Sequence, residues 1–129
     1  ISKDILEKIN PYSKKGKGKC KCIEHFLLAG HGSQGIIVIT PQGGFVNARD
    51  VDLMRSGVAN PMLPEGANDL FMAVKQKMCE HGTVEFVACY SGDGIAGVRL
   101  RNSLKAFFGS GINVVLYLTP VRYYFNKAM

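Results

Sequence analysis

Apolar residues recur along the chain with two different periods, and these periods predict strands and helices in alternation. Short apolar runs predict buried strands, and they are IEHFLLA, GIIVIT, TVEFVAC and INVVLYL. Apolar residues spaced by three or four positions predict helices in SKDILEKIN, NARDVDLMRS, residues 69–80 and IAGVRLRNSLKAFF. A strand, a helix and a strand in succession are typical of a right-handed crossover between parallel strands. The expected fold class is therefore α/β, with a mostly parallel sheet flanked by helices.

Short signals at the ends of these segments refine their boundaries. Asn47, with Asp50 three residues later, predicts a capped start for the second helix, and Gly57 predicts its end. The third helix is expected to end near Glu80, just before a glycine. The segment PQGGFV predicts a turn into a short hairpin partner for the second strand.

Length and composition predict a single domain. The chain has 129 residues, of which 47% are hydrophobic, enough to bury a sizeable core. We expect one domain over 1–129, made of a helix and a basic loop over 1–22 and a core over 23–129. Because the first residue is Ile1, this domain is expected to be a piece of a longer chain. The sequence has neither an apolar run of about 18 residues nor a signal peptide, so no membrane segment is expected.

The net charge of +6 is concentrated in one basic loop, SKKGKGKCK. Its lysines are Lys14, Lys15, Lys17, Lys19 and Lys21. The loop has no aromatic residue to stack on a base and no helical period, so a nucleic-acid partner is not expected. A solvated loop is the favoured interpretation, and binding of a polyanion is the alternative.

The cysteine count permits two disulfides, but the chain is larger and richer in core residues than most disulfide scaffolds. The cysteines are Cys20, Cys22, Cys79 and Cys89. We expect reduced thiols and therefore a reducing, cytoplasmic compartment. A zinc site is an alternative, with candidate ligands Cys20, Cys22, His25, Cys79 and His81. The spacing C-x-C-x-x-H is not a common zinc-finger spacing, so no metal is expected.

Two glycine-rich loops match the G-x-G-x-x-G pattern of dinucleotide-binding sites. The first, AGHGSQG, is followed by a predicted strand, whereas a phosphate site needs a helix there. The second, SGDGIAG, precedes a helix, but no acidic residue follows Asp93 to hold a ribose hydroxyl. A dinucleotide-binding domain is therefore the least favoured alternative, and tight turns explain the glycines.

A histidine and a cysteine each follow a predicted strand, which is the arrangement of a base and a nucleophile. His31 follows the first strand and Cys89 the third, so adjacent parallel strands would bring them to one edge of the sheet. A helix that begins near Asp93 would favour a thiolate at Cys89. The backbone N–H groups of Gly32 and Cys89 are the candidates for an oxyanion hole. Taken alone, His31 would be an ordinary loop residue and Cys89 a small buried side chain.

The His-Gly after one strand and the Ala-Cys-x-Ser-Gly after a later strand resemble the caspase-like cysteine peptidases. That superfamily includes gingipains, clostripain, separase, legumain and the self-cleaving domains of bacterial toxins. The resemblance spans residues 23–118, and Cys89 follows His31 by 58 residues, compared with about 50 in caspases.

The resemblance implies a three-layer caspase-like sandwich with a small hairpin after the His31 strand. It also implies a peptide or protein substrate, no required cofactor and, in some members, self-processing. Cys89 would attack the scissile carbonyl and His31 would protonate the leaving amine. The substrate-pocket candidates are Ser33, Ser91 and Asp93. For Asp93, a helix cap is the favoured alternative.

The resemblance bears on regulation and location as well. Some toxin domains of this superfamily are switched on by an inositol phosphate, so the basic loop is a candidate site for a polyanionic activator. Such a domain would be part of a secreted bacterial effector, an alternative to the cytoplasm. A catalytically inactive binding or scaffold module with the same fold is the second hypothesis for function.

Overall fold

The structure is a computed structural model that describes residues 3–12 and 21–121. Within these ranges the chain forms four helices and six strands. The helices are α1 (Lys3–Ile9), α2 (Ala48–Ser56), α3 (Ala67–Lys77) and α4 (Gly94–Phe108). The strands are β1 (Ile23–Ala29), β2 (Gly32–Ser33), β3 (Ile36–Val38), β4 (Phe45–Val46), β5 (Met78–Val87) and β6 (Asn113–Val115).

The main sheet is parallel and has the strand order β1-β5-β6. The crossover from β5 through α4 to β6 is the one that the pattern predicts, and it leaves β5 in the centre. A smaller antiparallel sheet, β2-β3-β4, follows the strand that leads to His31. The α/β class, the parallel sheet flanked by helices and the short hairpin partner of the GIIVIT strand, which is β4 paired with β3, are thus confirmed.

One face of the parallel sheet is covered by helices, and we call it the helix-covered face. At its centre Phe86 of β5 stacks on Phe71 of α3, with 5.9 Å between ring centroids. Phe71 also lies 6.1 Å from both Phe107 and Phe108 of α4. All four rings are buried, and the apolar periodicity of α3 and α4 predicts this for the three that lie on helices. This aromatic cluster forms the centre of the core.

The opposite side of the sheet, which we call the open face, keeps much of its surface exposed. In-register neighbours of a parallel sheet point to the same side, so Leu27, Glu85 and Val115 share this face. Leu27 is 52% exposed and Val115 36% exposed. His25 lies two residues before Leu27 and therefore points to the same side. The sheet thus presents one dry face and one wet face.

The ends of α2 agree with the sequence signals. The Asp50 N–H donates to Asn47 Oδ1 and the Asn47 N–H donates to Asp50 Oδ2, both at 3.0 Å. Gly57 ends the helix with a φ of 72°, a conformation that favours glycine. The predicted capping box and helix end are confirmed.

The boundary between α3 and β5 differs from the expectation. The helix ends at Lys77 instead of near Glu80, and β5 begins at Met78, five residues before the predicted strand. Met78 pairs with Ile23 of β1, and this tertiary pairing overrides the local helical pattern. His81, expected at a helix end, lies inside β5 with a φ of 65°.

The expectation of reduced thiols is wrong for one pair of cysteines. Cys22 and Cys79 form a disulfide across the amino-terminal ends of β1 and β5, with a Cα–Cα distance of 4.9 Å. Because Ile23 and Met78 are register partners, their neighbours Cys22 and Cys79 are brought within bonding distance. Cys79 therefore has a covalent role and is not simply a packed side chain at a helix end.

Candidate active site

The register of β1 and β5 brings the loops of His31 and Cys89 together. Ala29 is the last residue of β1 and pairs with Val87, the last residue of β5. The Gly30 N–H donates to the Val87 carbonyl at 3.0 Å, which extends the contact past the strand ends. His31 and Cys89 each follow this final pair by two residues. They therefore occupy equivalent positions at the carboxyl edge of adjacent parallel strands.

Gly32 joins the two loops through backbone contact. A Cβ atom on Gly32 would lie 2.7 Å from the Ala88 Cβ and 2.8 Å from the Cys89 carbonyl oxygen, so only glycine fits. The Val38 N–H donates to the His31 carbonyl at 2.9 Å. In an antiparallel ladder the next pair, Gly32 with Ile37, is then not hydrogen bonded, and the Gly32 N–H points away from β3. That orientation leaves it suitable as an oxyanion donor.

The Cys89 thiol is half-buried against the segment that follows β6. Its Sγ accepts a hydrogen bond from the Val121 N–H at 3.3 Å and lies 3.6 Å from the Val121 carbonyl oxygen. The Tyr90 N–H donates to the Thr119 carbonyl, and the Gly92 N–H donates to the Tyr117 carbonyl at 2.9 Å. The segment 117–121 thus lies beside Cys89 on the β6 side. These contacts also explain why β6 ends at Val115, earlier than its apolar run predicts.

The His31 side chain is exposed and lines a cavity of about 310 Å³ at the end of β1. The other lining residues are Ile5, Leu28, Ala29, Gly30, Val38, Ile39, Thr40 and Pro41. Cys89 is not part of this lining. His31 therefore lies between two regions. Its neighbour Gly32 contacts the Cys89 loop, and His31 itself lines the apolar cavity.

The three substrate-pocket candidates lie in different environments. Ser33 is exposed in β2, whereas Ser91 is fully buried and its hydroxyl accepts a hydrogen bond from the Tyr117 N–H at 3.3 Å. Asp93 occupies the N-cap position of α4, but its side chain makes no cap hydrogen bond. It accepts instead from Gln34 Nε2 at 2.9 Å, which ties the β2–β3 turn to the Cys89 loop.

The start of α4 accounts for the second glycine pattern. The helix begins at Gly94, where the sequence places it, a few residues after Cys89. Gly97 packs directly against the backbone of Gly92, and a Cβ atom at Gly97 would overlap it. Close packing of the helix on its own loop thus requires glycine without any bound phosphate.

The basic loop falls mostly outside the described residues, and Lys14, Lys15, Lys17 and Lys19 all belong to that part. Lys21 is exposed and lines a cavity of about 700 Å³. The other residues of that lining are Tyr12, Cys22, Ile23, Glu24 and His25.

A polar cluster on the open face was not expected from the sequence. Glu85 Oε1 lies 2.8 Å from His25 Nε2, and its other oxygen accepts a hydrogen bond from the Tyr117 hydroxyl. The Tyr117 hydrogen bond lowers the pKa of Glu85, against the opposing effect of burial, and the same bond raises the pKa of Tyr117. The signal was present, because Glu85 is the only charged residue in the apolar strand TVEFVAC.

The described residues, 3–12 and 21–121, hold neither a candidate metal site nor a candidate membrane-spanning helix. No group of three or more His, Cys, Asp or Glu residues gathers there as a metal site. Over the same ranges no helix combines the length and apolarity of a membrane span.

Comparison of the chain with protein-family models, curated proteins and solved structures gave no match.

Proposed function

We propose that the chain is a caspase-like cysteine peptidase, with Cys89 as the nucleophile and His31 as its acid–base partner. The observation that carries the proposal is the register of β1 and β5, which gives both residues the same position beyond the last strand pair. The backbone contact between Gly32 and Cys89 supports it, because it holds the two loops against each other. The three-layer sandwich of that superfamily stays a prediction, because over the described residues the open face keeps Leu27 and Val115 exposed, without the covering layer that such a sandwich has there.

The proposed reaction proceeds through a thioester. His31 takes the proton of the Cys89 thiol, and the sulfur attacks the carbonyl carbon of the scissile peptide, where the N–H groups of Gly32 and Cys89 stabilise the oxyanion. The C–N bond breaks as His31 protonates the leaving amine. His31 then takes a proton from water, which attacks the thioester, releases the carboxylic acid and restores the thiol.

Selective alkylation of Cys89 tests this proposal. Without reductant, iodoacetamide should label Cys89 at least about tenfold faster than Cys20 near neutral pH, because only an activated thiol reacts quickly there. His31→Ala should slow the labelling, whereas the control His25→Ala should not. Labelling of Cys89 at the rate of Cys20, unaffected by His31→Ala, would refute the dyad.

A cleavage screen tests the reaction itself. A peptide library should be cleaved by the wild-type chain and not by Cys89→Ala. If Cys89→Ala loses all cleavage while its circular dichroism spectrum matches that of the wild type, the activity belongs to this thiol. Cleavage that persists in Cys89→Ala would assign it elsewhere.

A non-catalytic binding or scaffold module is the second candidate function. It is favoured by one observation, that the cavity lined by His31 does not include Cys89. Such a module predicts that iodoacetamide labels Cys89 no faster than Cys20 and that His31→Ala leaves the labelling rate of Cys89 unchanged. The alkylation rates therefore discriminate between the two functions.

Control by a polyanion remains a prediction for the basic loop. Several lysines that converge on one anion strengthen each contact, and the loop directly precedes β1. Polyphosphate should raise the melting temperature in low salt, and neutralisation of Lys14, Lys15 and Lys17 should abolish the increase. An unchanged melting temperature would favour a solvated loop that binds no anion.

A further inference from the structure

The cavity beside His31 is built for an apolar group. Its side-chain walls come from three segments, α1, β1 and the stretch from β3 to the following turn. These side chains are Ile5, Leu28, Val38, Ile39, Thr40 and Pro41. Among the described residues, His31 is the only ionisable one that lines the cavity. The volume of about 310 Å³ lies at the lower end of the range for ligand pockets and suits one side chain better than a larger ligand.

The strand order places this cavity on one particular side of the nucleophile. Cys89 follows the central strand, β5, and the two strands beside it are β1 and β6. The β6 side of Cys89 is occupied by segment 117–121, whose last residue, Val121, contacts the sulfur. The β1 side is occupied by His31 and, next to it, by the cavity. A peptide bound across Cys89 along this edge therefore has one end toward segment 117–121 and the other toward the cavity.

The chemistry of the dyad fixes which end of the substrate faces His31. His31 must reach the nitrogen of the leaving amine to protonate it. That nitrogen belongs to the residue that follows the cleaved bond, so this residue lies on the His31 side. We propose that the cavity is a specificity site that binds the apolar side chain of the residue directly after the cleaved bond. This inference rests on the proposed function, and it names the substrate class as peptides with a residue such as Leu or Phe there.

Among the residues that line the cavity, Val38 is the one whose substitution should disturb the core least. Successive strand residues point to opposite sides, and its neighbour Ile37 is buried in the core. Val38 is half-buried and lines the cavity. A larger side chain at Val38 fills the cavity, and Val38→Thr changes its polarity at nearly constant volume.

Binding of leaving-group mimics tests the site without requiring a substrate. Leucinamide and phenylalaninamide should shift the NMR signals of the His31 ring, which are assigned with His31→Gln. Glycinamide and aspartic acid α-amide should do so only at concentrations at least about tenfold higher, because burial of a large apolar side chain is worth that factor or more. Equal responses to the four amides would overturn the inference.

Variants connect the response to the cavity. Val38→Phe should abolish the selectivity for leucinamide, and Val38→Thr, the milder change, should reduce it. Val115→Phe, a matched change on β6 away from the cavity, should leave it as in the wild type. A preference that survives both Val38 variants would also overturn the inference.

The cleavage assay separates this inference from the proposed function. The peptide that is cleaved fastest in the library, remade with Leu, Phe, Gly or Asp after the cleaved bond, should show the same order in kcat/KM. Cleavage without that order contradicts the specificity site and leaves the peptidase intact. Slow alkylation of Cys89 together with selective amide binding contradicts the peptidase and leaves an apolar binding site.

Discussion

The two faces of the parallel sheet are stabilised by different physical interactions. The helix-covered face buries a cluster of four phenylalanine rings around Phe86, and its stability comes from the hydrophobic effect and close packing. On the open face, hydrogen bonds of His25, Glu85 and Tyr117 join β1, β5 and the segment that follows β6, next to the exposed Leu27. We infer that the first face determines whether the domain folds, whereas the second adjusts its stability with pH.

The segment that follows β6 connects the open face to the candidate site. The segment from Tyr117 to Val121 binds Glu85 on the open face and contacts the Cys89 sulfur at its other end. His31, in contrast, is reached from β1 and β3. The proposed nucleophile, Cys89, is therefore connected to the open face, and its proposed partner, His31, to the cavity at the end of β1. Changes on the open face test this connection because they leave the core intact.

The largest effect is expected from the centre of the helix-covered face. Phe86→Ala removes a fully buried ring that stacks on Phe71. We therefore expect this substitution to lower the free energy of unfolding by about 3–5 kcal/mol. The measurement is urea unfolding followed by circular dichroism. A loss under about 1 kcal/mol would mean that this face does not hold the core.

Much of the helix-covered face could be predicted from the sequence, because local apolar periods determine it. Phe71, Phe107 and Phe108 stand at the three- and four-residue spacing that predicts the apolar faces of α3 and α4, and all three are buried. The strand start at Met78 could not be predicted, because it depends on pairing with Ile23 in a distant part of the chain. Local sequence carries no information on such a partner.

In the candidate site, too, local signals could be predicted from the sequence and long-range contacts could not. His31 and Cys89 could be found because each directly follows an apolar strand, which is a local signal. The contact of Cys89 with Val121 and the bond between Gln34 and Asp93 join residues far apart in sequence, and no local pattern marks them. Tertiary hydrogen bonds between loops were therefore the part of the site that sequence reasoning missed.

The disulfide gives the next largest effect, and it belongs to neither face. Cys22 and Cys79 are 57 residues apart in sequence, so their bond restricts the unfolded chain considerably. We expect Cys22→Ser with Cys79→Ser to lower the free energy of unfolding by about 2–4 kcal/mol. Differential scanning calorimetry with and without dithiothreitol measures this. Reductant should destabilise the wild-type chain and leave the double variant unchanged, and equal effects on both would contradict the bond.

A smaller, pH-dependent effect is expected from the polar cluster. The Tyr117 hydrogen bond, followed by His25, lowers the pKa of Glu85 below its ordinary value of 4.5. The stabilisation is therefore fully present above about pH 4.5 and is lost as the pH falls through the lower folded-state value. Glu85→Gln should cost about 1 kcal/mol at pH 7 and flatten the acid limb of the stability curve.

Two controls make the pH experiment specific. Glu24→Gln changes an exposed carboxylate on β1 and should leave the acid limb as it is. Tyr117→Phe should also flatten the acid limb, and it should remove a loss of stability above pH 10, because hydrogen bonding to Glu85 raises the pKa of Tyr117 above 10.0. An acid limb unchanged in Glu85→Gln would show that the cluster does not couple pH to folding.

The smallest effect is expected at Leu27, and it tests the comparison most directly. Leu27 and Leu28 are neighbours on β1 that point to opposite faces of the sheet. Leu27 is 52% exposed, whereas Leu28 packs against the core, so Leu27→Ser should change the free energy of unfolding by less than about 0.5 kcal/mol. Leu28→Ser, the matched control, should cost about 1–3 kcal/mol by urea unfolding. If the two substitutions cost the same, the open face is covered in solution as thoroughly as the other, and the distinction between a dry and a wet face fails.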